Sequence, residues 1–144
     1  MSESIDNFRK QLHDKIDDAD KRLKALEANV KASGEKAKSD AKAYLAAIDS
    51  QLKAQQAKVQ ASEANVKAWF QEKKQITDDK IAEWKARRQA TELLRYADLT
   101  ENYAASATQM AVAAIDEAER AIVEAVIARM NASSTQPTAA AKST

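Results

Sequence analysis

The chain has no cysteine, one glycine (Gly34) and one proline (Pro137) in 144 residues. Without cysteine there is no disulfide framework and no thiolate metal site, which fits a reducing compartment. A single glycine removes Gly-rich phosphate loops and dinucleotide fingerprints. The same shortage removes the usual helix breakers. Glycine costs a helix interior about 1 kcal/mol relative to alanine, and proline about 3 kcal/mol. The chain is therefore free to run as long helices.

Other absences narrow the function classes. Aromatic residues make up 5% of the chain, too few for a large compact core. No run approaches the roughly 18 apolar residues of a membrane span. The opening residues, from Met1 to Asp6, carry neither a basic start nor an apolar stretch, so no secretory signal is read there and a cytoplasmic location is expected. His13 is the only histidine and has no cysteine or serine motif to partner it, so it reads as a surface residue. Asp78, Asp79 and Glu83 read as helix-capping acids, because a hard-cation cage needs more oxygens on a loop. No cofactor, metal or enzymatic activity is expected.

What remains is alanine, charge and periodicity. The hydrophobic fraction of 44% is inflated by alanine, and 31% of residues are charged. The net charge of +1 hides an uneven layout: residues 1–20 sum to −3, residues 21–95 to +7 and residues 96–144 to −3. Such ends can pack antiparallel against the middle, within a chain or between chains.

The first segment places Ile5, Phe8, Leu12, Ile16, Ala19, Leu23, Leu26 and Val30 at alternating spacings of three and four, one stripe of a helix. Asp6/Lys10, Asp17/Lys21, Asp18/Arg22, Asp20/Lys24 and Glu27/Lys31 set acid before base at i,i+4, the favourable order. Gly34 then predicts a helix end with a left-handed residue. The second segment has a heptad-like stripe of Ala41, Leu45, Ile48, Leu52, Gln55, Val59, Ser62, Val66 and Trp69, whose polar members can fix register. Residues 27–32 recur as 63–68, a helical duplication or a chance of composition. Thr77 offers an N-cap, with Ile76 and Ile81 at the staple positions, so a junction is expected near 76. Residues 98–101 mimic a capping box and suggest a break near 98.

The last segment has the widest apolar face: Tyr103, Ala107, Met110, Ala111, Ala114, Ile115, Ala118, Ala121, Ile122, Ala125, Val126 and Met130, with Asp116, Glu117, Glu119, Arg120 and Glu124 mainly opposite. From 131 the periodicity stops, and 132–144 reads as a disordered tail.

The fold expected is all-α: helices over about 4–32, 36–76 and 78–131, in one domain over 1–131. They would pack as an elongated antiparallel three-helix bundle or as an oligomeric coiled coil. Residues 67–96 stand out, with Lys67, Trp69, Phe70, Lys73, Lys74, Lys80, Trp84, Lys85, Arg87, Arg88, Arg95 and Tyr96. On one unbroken helix Trp69 and Trp84 would lie about 60° apart. The plain reading makes Trp69, Ile76, Ile81 and Trp84 core and the cations a solvated face; the sharper reading makes the stretch an interaction surface. Function is expected to be non-enzymatic helix–helix association, with the chain itself or another helical protein as partner. The alternatives are an anionic membrane surface bound by 67–96 and the wide face of 97–131, and, third, weak nucleic-acid binding by 67–96.

Overall fold

The computed structural model describes residues 2–32 and 34–135, and every element among them is α-helical. Four helices follow one another: α1 (Glu3–Ala32), α2 (Glu35–Lys73), α3 (Asp78–Ala86) and α4 (Ala90–Thr135). At 1.5 Å per residue, α1, α2 and α4 are about 45, 58 and 69 Å long.

Their boundaries have local causes. Gly34 is the N-cap of α2 with φ −75° and ψ −84°, so the left-handed conformation expected there is not used. The junction near 76 is present. Thr77 sits in extended backbone and its hydroxyl accepts from the Lys80 amide at 3.2 Å, with Asp78 and Asp79 in the first turn of α3. Such a cap contributes about 1 kcal/mol. Ile76, just before it, is buried.

The expected break near 98 is absent, and α4 runs straight through 98–101. The break falls at 87–89 instead. There the Gln89 amide donates to the Trp84 carbonyl at 2.8 Å and the Arg88 amide to that of Lys85 at 3.2 Å, with Arg88 at φ +53°. This is the hydrogen-bond pattern of a Schellman motif, with arginine where glycine is usual. The left-handed conformation costs an L-residue roughly 1–2 kcal/mol, and the two hydrogen bonds and the burial of Trp84 offset it. At the other end α4 continues past 131 to Thr135; residues 136–144 of the expected tail lie outside the described residues.

Packing centres on α4, which α1, α2 and α3 all contact. Tyr44 meets Glu119, Asn65 meets Ser106 and Glu72 meets Arg95, so α2 runs antiparallel to α4. Lys15 meets Asp116 and Arg22 meets Glu119, so α1 runs parallel to it. The apolar core lies where the C-terminal halves of α1 and α4 meet the start of α2. Leu26, Ala41, Ile48 and Val123 are buried there, backed by Leu23, Val30, Leu45, Leu52, Val126 and Ile127. The stripe read on α2 faces inward, with Ala41, Ile48 and Ser62 buried. The stripe on α1 is only partly used. Ala19 and Leu26 are buried, Ile5 is exposed, and Ile16 is 57% exposed while Lys15 turns inward.

Candidate interaction surfaces

The stretch 67–96 is divided among the end of α2, α3 and the start of α4. The turn at 74–77 puts Trp69 on α2 and Trp84 on α3, so the 60° relation expected for an unbroken helix does not apply. Trp84 is 8% exposed and belongs to the interior with Ile76. Trp69 is half-buried and packs against Tyr103, with ring centroids 3.9 Å apart and the planes tilted by 39°. Phe70 meets the Trp69 ring edge-on at 5.1 Å and is itself exposed. Among the cations, Lys73 lies 5.2 Å over the Tyr96 ring and donates to the Ile76 carbonyl. Arg87 pairs with Glu83, and Arg95 with Glu72 and Glu92. Lys67, Lys74, Lys80, Lys85 and Arg88 are exposed. Leu94 is also exposed.

The interior holds a second constellation that the periodicity placed on the outside. Asp116 and Glu119 are 1% and 2% exposed, and side chains from α1 and α2 converge on them. The Arg22 guanidinium grips Glu119 with two nitrogens, each at 2.8 Å from a carboxylate oxygen. The Tyr44 hydroxyl donates to the same carboxylate. Lys15 Nζ lies 2.5 Å from one Asp116 oxygen, and Gln55 donates to the other at 3.1 Å. Arg22 thus turns away from the expected Asp18 partner, whereas Asp17/Lys21, Asp20/Lys24 and Glu27/Lys31 pair as read. Arg120, on the charged side of α4, reaches Asp49 on α2 and Glu124 one turn on.

The electrostatics follow from this packing. Burial opposes the charge on Glu119, but the hydrogen bonds from Arg22 and Tyr44 outweigh it and hold the carboxyl below its ordinary 4.5. Burial, then the Glu119 contact, raises the Tyr44 phenol above its ordinary 10.0. A buried charged group removed from its partners is costly, so such layers fix which faces meet. Because the folded-state value of Glu119 is depressed, its contribution is present above about 4.5 and is lost as pH falls through the lower folded value. Tyr44, with a raised value, has the opposite sign: its contribution is present below 10.0 and is lost as the solution becomes more alkaline than that. Thermal midpoints of wild type and Glu119→Gln, followed by circular dichroism from about pH 6 to pH 3, should converge on acidification. Parallel curves would show that the fold leaves the titration of Glu119 unshifted, against the depressed value described.

With Asp116, Glu119 and Val123 turned inward, part of the wide face of α4 is left outside, while Tyr103, Ala107, Met110, Ala111, Ile115, Val126 and Met130 are half-buried. Ala114, Ala118, Ala121 and Ala125 are exposed, and Ile122 is 47% exposed. An apolar groove of about 770 Å³ beside it is lined by Val30, Ile122, Val126 and Met130 among others. No group of three or more metal-binding side chains is assembled among the described residues, and no helix there is long and apolar enough to cross a membrane. No family model, curated protein or solved structure matches the chain.

Proposed function

We propose that this chain is a non-enzymatic helical interaction protein: α1, α2 and α4 form an elongated three-helix bundle that works by helix–helix association, with itself or with another helical protein. The outward face of α4 is the observation that carries this reading. A chain with few large apolar residues leaves Ile122 half-exposed beside an apolar groove, although burial of such a residue stabilises by roughly 1.5–3 kcal/mol. A covering helix would recover that. Light scattering on a size-exclusion column, across protein concentration and at low and high salt, tests it. A mass that rises above one chain with concentration is expected; a strict monomer under all conditions removes self-association.

A second reading rests on the α3 end. Exposed Phe70 and Leu94 lie in a stretch with the exposed cations Lys67, Lys74, Lys80, Lys85 and Arg88, a combination suited to an anionic membrane surface. Anionic vesicles should then pull the protein down and shift tryptophan emission, through Trp69 beside Phe70. Unchanged emission and no co-sedimentation at low salt would discard this reading. Nucleic acid is the least supported partner, since Trp84 is interior and the Trp69 ring is already packed against Tyr103.

A further inference from the structure

We infer that the outer face of α4 docks a second copy of this chain, with the two α4 helices parallel and in register. This rests on the association reading above and names its surface, partner and orientation.

The apolar shoulder of that face is Ile122, 47% exposed, and the groove beside it continues onto α1 at Val30. Beside the shoulder run Ala107, Ala111, Ala114, Ala118, Ala121, Ala125 and Ala128, at strictly alternating spacings of four and three. Those are the a and d positions of a heptad. A seven-residue period drifts by about 20° per heptad around a straight helix, and only a supercoiled partner keeps it in line. A helix whose alanines merely favoured helicity has no need of that phase.

Charge decides the orientation. In this frame Glu117 and Glu124 occupy g positions, and Ile115, Ile122 and Arg129 occupy e positions. Across a parallel two-fold, each g position faces the partner's e position five residues on. Glu124 then meets the partner's Arg129, twice by symmetry, Met110 meets the partner's Ile115, and Glu117 lies against the partner's Ile122. Arg129 has no ion-pair partner of its own among the described residues. Among the described residues Glu124 pairs with Arg120 alone, in a half-exposed i,i+4 bond. An antiparallel pair would instead set the g positions of the two copies against each other, Glu117 and Glu124 among them, and like charges in juxtaposition are unfavourable.

Area sets the strength. From Ala114, where the alanines become exposed, to Arg129 the face is about 23 Å long and about 10 Å wide, or ~230 Å² on each copy. A standard interface buries about 800 Å² per partner. The dimer is therefore weak and concentration-dependent rather than obligate.

The absence of native cysteine makes the test direct. Sedimentation equilibrium on the full chain should show a monomer–dimer equilibrium. Ala121→Glu, and separately Ile122→Gln, should weaken it by about tenfold or more, with the monomer's helicity unchanged, because Ala121 is exposed and Ile122 half-exposed. Ala114→Cys and Ala128→Cys should each cross-link to themselves under mild oxidation. Wild type that stays monomeric overturns this inference together with the self-association beneath it. A wild-type dimer untouched by both face variants overturns this inference alone. So does cross-linking only when the two cysteine variants are mixed, the sign of an antiparallel pair.

Discussion

Replacing Arg22 by methionine is expected to lower the unfolding free energy by about 3 kcal/mol, measured as a shift of the urea transition followed by circular dichroism. The effect comes from what is left behind. Glu119 is 2% exposed and would keep Tyr44 as its remaining close donor. Arg22 is itself partly exposed, which limits the attraction lost and places the effect at the lower end of the range for a broken buried pair. The sign with pH should also invert. In wild type the Arg22 and Tyr44 hydrogen bonds outweigh burial and hold Glu119 down. Without Arg22, burial raises it, so the variant gains relative to wild type on acidification and loses as pH rises toward neutrality. Adding Glu119→Gln to the variant should restore part of the loss, because the stranded charge is gone. A loss under about 1 kcal/mol would place this pair with ordinary surface ion pairs.

Leu26→Ala is expected to cost a similar amount, about 3 kcal/mol, and to act on α1 first. Leu26 is the large apolar side chain that α1 buries fully, against Ala41, Ile48 and Val123. Hydrogen exchange should rise across α1 before it rises in the paired stretches of α2 and α4. Ile16→Ala is the control. Ile16 belongs to the same sequence stripe but is 57% exposed, so its removal should stay within about 0.5 kcal/mol. Equal losses from the two variants would mean that α1 sits in a different phase from the one described.

That contrast shows where the sequence was readable. The α1 stripe named Leu26 and Ile16 alike. The period gives a helix and its apolar side to within a residue, and the choice of Lys15 over Ile16 as the inward residue depends on what waits opposite. Asp116 waits there, 2.5 Å from Lys15 Nζ. On α4 the same ambiguity went the other way. The alanine- and isoleucine-bearing side looked like the buried one, yet the line through Asp116, Glu119 and Val123 is buried and Ile122 is left out. Two acids three residues apart on a helix, with Arg22 and Lys15 on a distant segment, give no local signal of pairing. The only hint was Gln55, a polar member of the α2 stripe, which turns out to donate to Asp116.

The breaks divide in the same manner. The junction at Thr77 was legible because its cap is made by neighbours in sequence, the Thr77 hydroxyl and the Lys80 amide. The break at 87–89 was not, because an arginine takes the left-handed position that reasoning from composition reserves for glycine. The burial of Trp84 and the contact of α3 with α4 make that conformation worth its strain.

By itself, then, the sequence determined that this chain is helical, that its helices are long, where α1 yields to α2 and α2 to α3, and that alanine and charge would dominate its surface. Those properties are set by propensity, capping and period, which act within a few residues. Tertiary structure alone decided which side of α4 faces inward, that Trp84 is interior while Phe70 is exposed, and that Arg22 and Tyr44 close on Glu119. Each is a choice between faces of similar local energy, settled by partners that are distant in the chain and by the high cost of a buried charge without them.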